Sequence, residues 1–316
     1  MLSAILSLSM FAAVMPCVTY LVAVRWLGRL EREPLRLILL VVAWGAIGGT
    51  FGGLITASAI EDAMAFFQPR LLLDMISYAL YVPAAEEISK GIVLVALAAT
   101  PRIGHMTSGL VYGLAVGLGF AITENMIYAI HVFQNSGLEG WYVNLVIRTL
   151  FTSTVHGICS AMFGFCLGWA KVRVPGQPRP LLGLLTGLSM AFSLHGLWNA
   201  VMFVGIETDN PMFSIVAFVS TPFLVLILLI VTHLSLRDEG QIIADELLAE
   251  AASGLIPAHH IPILASPLAR RRRDWLDPGV DEARYAALAG QLALRRRAGD
   301  DQLDALRALI RATLER

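Results

Sequence analysis

Seven apolar stretches, each long enough to cross a bilayer, constrain this chain more than any other feature of its sequence. They run over 1–24, 35–60, 71–100, 107–133, 143–170, 181–205 and 211–235, and a helix needs about 20 apolar residues to cross the hydrocarbon core. In lipid the backbone must satisfy its own hydrogen bonds, so such segments fold as helices packed on one another. With 57% of 316 residues hydrophobic and only 15% charged, the chain is too apolar for a soluble domain of its length. The expected fold is all-α: a polytopic membrane bundle with a small helical C-terminal tail.

The connections between spans alternate in charge. Arg25, Arg29, Arg32 and Arg36, then Arg102, then Lys171, Arg173 and Arg179 mark one side, while 61–70, 134–142 and 206–210 hold only Arg70. The positive-inside rule puts the N-terminus outside and the C-terminus in the cytoplasm. The first span lacks a basic leader and is as long as a bilayer is thick, so it reads as a transmembrane helix rather than a signal peptide. Net charge is near zero, which argues against a nucleic-acid partner. Cys17, Cys159 and Cys166 all lie in apolar runs without paired spacing and read as core residues. Glycines at four-residue spacing, such as Gly109, Gly113 and Gly117, permit close helix packing. Past Leu236 the composition changes, and the expected division is a transmembrane unit over 1–236 and a cytoplasmic tail over 237–316. In the tail Leu303, Leu306, Ile310 and Leu314 recur at helical spacing. Its Arg270 to Arg273 run reads as a solvated charge cluster, and His259 and His260 as part of a Pro-flanked linker.

Charged groups inside the hydrocarbon layer cost a few kcal/mol each, so each needs a partner, a wet cavity or a function. Span three carries Glu86, Glu87 and Lys90, span four Glu124 and Asn125, span five His156 and span six His195 and Asn199. Glu86, His156 and His195 fall roughly 14 residues from the inner ends of their spans and Glu124 roughly 17, so all four sit about 20–25 Å up their helices. Four helices place their polar patches at one level, which points to a shared cluster. Lys90 falls angularly between the two glutamates and can hold one while the other faces the bundle interior. Pro83 frees a backbone carbonyl just before the pair. His195 and Asn199, four apart, project together. Arg148, His131 and His233 lie nearer span ends, where snorkelling accounts for them.

Two carboxylates and two imidazoles on facing helices suit amide hydrolysis: a carboxylate takes a proton from water, and the remaining groups hold a metal or stabilise the oxyanion. Ser153 and Ser160 share a helix with His156 but have no oxyanion loop, and no H-E-x-x-H helix is present. Two other classes use such residues. A proton- or ion-coupled transporter relays charge through midplane carboxylates and histidines, but the motifs occupy consecutive spans and show no repeat. A non-catalytic scaffold would tolerate loss of a glutamate or a histidine, and none is lost.

The motifs Glu86-Glu87-x-x-Lys90, Phe120-x-x-x-Glu124-Asn125, His156 followed by Ser160, and His195-x-x-Trp198-Asn199 together resemble those of PrsW-type intramembrane proteases, related to the CAAX prenyl protease and bacteriocin-immunity (ABI) group. The resemblance covers spans three to six. The wider group has Glu-Glu-x-x-x-Arg and a second motif ending in His; Glu-Glu-x-x-Lys and Glu124 point to the PrsW branch and away from prenylated substrates. The resemblance implies cleavage of membrane-anchored proteins, anti-sigma factors among them. Carried onto this chain, it makes Glu86 the water-activating base and Glu87, held by Lys90, its orienting partner. Asn199 becomes an oxyanion donor. His156 and His195 are either ligands of a Zn2+ ion, with Glu124 as the third, or metal-free donors that position water and substrate.

Overall fold

The computed structural model describes residues 2–27, 33–64, 70–172, 179–272, 274–300 and 303–315, and no strand occurs among them. Arg29, Arg32 and Arg173 of the basic connections and Arg273 of the tail's arginine run lie outside the described residues. The helices are α1 (Leu2–Leu27), α2 (Leu35–Trp44), α3 (Thr50–Met64), α4 (Arg70–Ile76), α5 (Val82–Ala98), α6 (Met106–Ile147), α7 (Ser153–Val172), α8 (Pro180–Glu207) and α9 (Pro211–Ala252), followed by the short α10 (Ile261–Leu264), α11 (Glu282–Arg297) and α12 (Asp304–Leu314).

Among the described residues, five stretches are long and apolar enough to cross a membrane: Ser3–Ala23, Leu35–Ile60, Met106–Val172, Pro180–Glu207 and Pro211–Ala252. The expected spans 107–133 and 143–170 are two arms of the third stretch, which turns at Gly137, where φ is 67°. The expected span 71–100 is helical too, but Glu86, Glu87 and Lys90 in its middle keep it from meeting the same standard of apolarity.

The first arm of α6 runs antiparallel to α7 along a glycine seam. A methyl group on Gly109, Gly113 or Gly117 would strike the backbone carbonyl of Gly164, Ser160 or His156 respectively, so these backbones touch directly. That seam fixes His156 opposite Gly117, and about two turns further along α6 Glu124 reaches the same imidazole.

Among the described residues three π-helical turns occur: Gly45–Gly49 between α2 and α3, Ser77–Tyr81 between α4 and α5, and Arg148–Thr152 between α6 and α7. Such turns loosen backbone carbonyls and recur at functional sites, and in lipid a loosened carbonyl needs another donor. Each receives one from a neighbouring helix. Thr123 Oγ1 donates to Ala46 O at 2.6 Å, Asn199 Nδ2 to Tyr78 O at 3.2 Å and Asn125 Nδ2 to Arg148 O at 3.5 Å. Pro83 deprives Ala79 of its helical donor, and Gly196 of α8 lies directly against that carbonyl.

Helix α9 spans 42 residues without a break, about 63 Å at 1.5 Å per residue and twice the hydrocarbon thickness. It passes unbroken through Leu236, where the sequence changes from apolar to charged. Beyond that point it joins α10, α11 and α12 around a second core that includes Ile243, Leu247, Leu264, Tyr285, Leu292 and Ile310. Met106 and Val172, at the adjoining ends of α6 and α7, belong to the same core and dock this module onto the bundle.

Candidate active site

Glu86, Glu87, Glu124, His156 and His195 converge from α5, α6, α7 and α8, and four of them form two parallel chains of contacts. In the first, Lys90 Nζ lies 2.5 Å from Glu87 Oε1, and the same oxygen lies 3.0 Å from His195 Nδ1. Ser160 Oγ donates to the other Glu87 oxygen at 3.2 Å. In the second, Arg148 Nη2 lies 2.6 Å from Glu124 Oε2, which lies 2.7 Å from His156 Nε2. Each chain thus runs cation, carboxylate, imidazole. Lys90 ties them together, with Nζ 3.3 Å from His156 Nδ1, and the two imidazoles meet edge to face at 4.7 Å between centroids.

Local folding explains this placement. Lys90 and Glu87 are three residues apart on α5 and share a face, so the ammonium and carboxylate are both buried at 0% exposure without either being unpaired. Lys90 also sits 4.2 Å over the Phe120 ring, whose neighbour at 5.0 Å is His156. Gly49 leaves room for the lysine stem and Gly53 for Glu86.

Glu86 stands apart from both chains. Its Oε2 lies 3.7 Å from His195 Nε2 and 3.9 Å from Lys90 Nζ, and it is buried without a hydrogen bond. Formal charge points the same way: Glu86, Glu87 and Glu124 face two cations, Lys90 and Arg148, which leaves one negative charge over. Glu124 Oε2, Arg148 Nη2 and His156 Nε2 are also buried without an aligned hydrogen bond, their short approaches being charge contacts. Buried polar atoms ordinarily find partners; with Glu124 Oε2, Arg148 Nη2 and His156 Nε2 in contact with one another, Glu86 Oε2 is the atom left to meet a water, a substrate carbonyl or a cation.

Ligand-type atoms of Glu86, His156 and His195 lie within 4.8 Å of one another. Two imidazoles and a carboxylate are a donor set suited to zinc, and a carboxylate on the far nitrogen of each imidazole is the usual way such ligands are oriented. Glu124, expected as the third donor, contacts His156 but shares its oxygen with Arg148. Asn199, expected to face an oxyanion, gives its amide to the Tyr78 carbonyl.

Arg148 is the residue that sequence reasoning sent elsewhere. Instead of snorkelling outward it turns into the bundle, with its side chain 12% exposed, Nε donating to Asn125 Oδ1 at 2.9 Å and the guanidinium 3.9 Å over the Tyr128 ring. One signal was legible: Glu124 stands about three residues, or 4.5 Å, higher on its helix than the other site residues, on the side where a long side chain from Arg148 arrives. An open apolar cleft of about 200 Å³ lined by Ala84, Ile88, Leu188, Ser189 and Phe192 lies between α5 and α8, beside the helical turns that carry Glu87 and His195.

The fold and the site define a class: a helical membrane protein with a buried cluster of carboxylates and imidazoles. Residues 33–230, more than half of the chain and including every site residue named above, match the PrsW family intramembrane metalloproteases, and the chain belongs to that family. It is similar to the protease PrsW of Oceanobacillus iheyensis, with 29% identity over 136 residues covering 43% of this chain and 54% of that one. It is also similar to the protease PrsW of Shouchella clausii, 30% identical over 94 residues covering 30% of this chain and 39% of that one. For the protease PrsW of Bacillus subtilis the identity is 32% over 94 residues, covering 30% and 38%. The chain thus spans about half or less of the length of the curated relatives it matches. No solved structure matches it.

Proposed function

We propose that this chain is an intramembrane peptidase that cleaves membrane-anchored proteins, and that Glu86 is the group that activates water. The observation that carries the reading is the isolation of Glu86: it is the one site carboxylate not claimed by a cation and an imidazole in close contact. A carboxylate in that condition is disposed to accept the proton of an attacking water and to return it to the leaving amide nitrogen. His195, oriented by Glu87 through Nδ1, presents the lone pair of Nε2 on the side of Glu86, where it can accept a hydrogen bond from the water or hold a metal ion. His156 closes the opposite wall.

If a zinc ion is bound, Glu86, His156 and His195 would hold it, Glu86 would serve as a ligand in place of the free base, and the ion's chemistry would be to acidify the water and polarise the scissile carbonyl. The family's description as metalloproteases and the donor set support this. Glu124 is then an orienting group for His156. Asn199, bonded to the π-helical turn before α5, is a brace for the helix bearing the two glutamates.

The motif order supports kinship with the CAAX protease and ABI group, and regulatory proteins of the anti-sigma type suit the substrate class. We place the protease unit over 1–236, crossing a bacterial inner membrane seven times with the N-terminus outside, and the tail over 237–316 in the cytoplasm; the alternation of basic connections supports that orientation.

The experiment is cleavage of a single-pass substrate by purified protein in bilayers. Glu86→Gln and His195→Ala are expected to abolish turnover, and cleavage at the wild-type rate by Glu86→Gln would overturn the assignment. Metal analysis with strong chelation is expected to remove the ion and the activity together; undiminished activity from metal-free protein would sink the zinc reading.

A further inference from the structure

We infer that Arg148 is a positioning residue of the site, acting through Glu124 to fix the orientation and tautomer of His156 as Lys90 acts through Glu87 on His195. The inference rests on the hydrolytic reading above but on its own geometry. Both chains have the same order of groups and similar distances: 2.5 and 3.0 Å along Lys90, Glu87 and His195, and 2.6 and 2.7 Å along Arg148, Glu124 and His156.

The physical argument begins with Glu124. A carboxylate buried in the bundle interior needs a cation, and Lys90 is already engaged by Glu87. Arg148 is the cation in contact with it. A guanidinium is held by several bonds at fixed angles, which makes it a director as well as a counter-charge. Here Nε is fixed by Asn125 Oδ1 at 2.9 Å, and the plane rests 3.9 Å over Tyr128. Asn125 is itself fixed, with Nδ2 2.8 Å from Ser153 Oγ, and Ser153 Oγ donates to the Arg148 carbonyl at 2.9 Å. The Arg148–Thr152 π-helical turn therefore supplies both the arginine and a carbonyl that helps anchor its partner.

The consequence reaches His156. With an anionic carboxylate at Nε2 and the Lys90 ammonium at Nδ1, the imidazole is disposed to carry its proton on Nε2 and its lone pair on Nδ1. Without Arg148, Glu124 has no cation to hold it, and the imidazole loses the contact that sets which nitrogen is protonated. An arginine so placed connects the outer part of the α6 and α7 hairpin to the chemistry without touching substrate.

The test uses full-length protein in lipid with Arg148→Gln, Arg148→Lys, Glu124→Gln and the Arg148→Gln/Glu124→Gln pair. Loss of an outer-shell partner ordinarily costs about 10–100-fold, so Arg148→Gln is expected to lower kcat by at least about tenfold while KM stays within about twofold. Arg148→Lys is expected to recover only part, because lysine cannot serve Glu124 and Asn125 together. The double variant is expected to be no worse than Glu124→Gln alone, since both act along one chain. Ring nitrogen-15 spectra of labelled histidine, assigned with His156→Gln, give a readout independent of turnover: the His156 signals are expected to shift in Arg148→Gln while those of His195 hold. Wild-type kcat and an unmoved His156 signal in folded Arg148→Gln protein would overturn the inference. Additive losses in the double variant would also overturn it. Failure of the proteolytic reading looks different, for then wild type and Glu86→Gln behave alike whatever the His156 spectrum does.

Discussion

At the scale of single residues, the site is an exercise in burying charge without stranding it. Lys90 is the most constrained of these residues, being fully buried and shared between Glu87, His156 and the face of Phe120. Replacing it with methionine keeps the volume but leaves the fully buried Glu87 without its ammonium. Breaking a buried pair from one side typically costs about 3–5 kcal/mol, so Lys90→Met is expected to melt well below wild type in thermal unfolding. Lys90→Met/Glu87→Gln should regain much of that stability without regaining activity. Equal melting of the single and double variants would refute the account. Sequence reasoning reached Lys90 as the holder of one glutamate because both share a helical face, and spacing along one helix is fixed by 3.6 residues per turn. It did not reach Arg148, whose partners Glu124, Asn125 and Tyr128 lie 20 residues and more away in sequence and meet it only because α6 folds back on itself.

At the scale of elements, the π-helical turns and the glycine seam decide how the site helices meet. Asn199 offers a clean test of the brace at Ser77–Tyr81, because Asn199→Ala removes one donor from a carbonyl that lipid cannot serve. The expected loss is about 1–2 kcal/mol of stability, with kcat reduced by displacement of α5 rather than by loss of an oxyanion donor. A kcat loss of several hundredfold at unchanged stability would instead favour the oxyanion role that the sequence motif suggested. Gly113→Val tests the seam, since even one added carbon at that position runs into the Ser160 carbonyl. It is expected to prevent folding or lower the melting temperature by more than any single site substitution, and a variant as stable as wild type would contradict the direct backbone contact. The helices themselves were legible as apolar runs. The π-helical turns were not, because they arise where neighbouring helices supply donors to loosened carbonyls, and no local pattern encodes a donor on another helix.

At the scale of the whole molecule, the tail packs as a module against the adjoining ends of α6 and α7 at Met106 and Val172. Glu239 of α9 lies 2.7 Å from His105 Nδ1 and accepts from the Thr107 backbone N–H at 2.9 Å, placing its carboxylate at the N-terminus of α6. Removing residues 253–316 would expose Leu247, Met106 and Val172 to water, and the truncated protein is expected to aggregate or unfold earlier in detergent. The module also carries a titratable joint. Burial chiefly, and then the neighbouring His259, lower the pKa of His260, with Asp277 acting in the opposite sense. The neutral ring faces the Tyr285 hydroxyl at 3.0 Å. A histidine whose folded pKa is lowered stabilises the fold above its ordinary value of about 6.5 and loses that contribution as pH falls below it. Limited proteolysis of the 253–281 connection is therefore expected to quicken between about pH 6.5 and 5, and His260→Gln should flatten the dependence.

What the sequence determined by itself was everything governed by periodicity and depth: the helical class, the common level of Glu86, Glu124, His156 and His195, and the pairing of Lys90 with an adjacent glutamate. These follow because rise per residue is constant and lipid penalises stray charge, so position along a helix already carries energy. Only the tertiary structure decided which partner each group takes: Arg148 on Glu124, Asn199 on a backbone carbonyl, Glu86 left over. Those choices depend on rotation of one helix against another and on a glycine seam that sets their separation, and neither is written along any single stretch of chain.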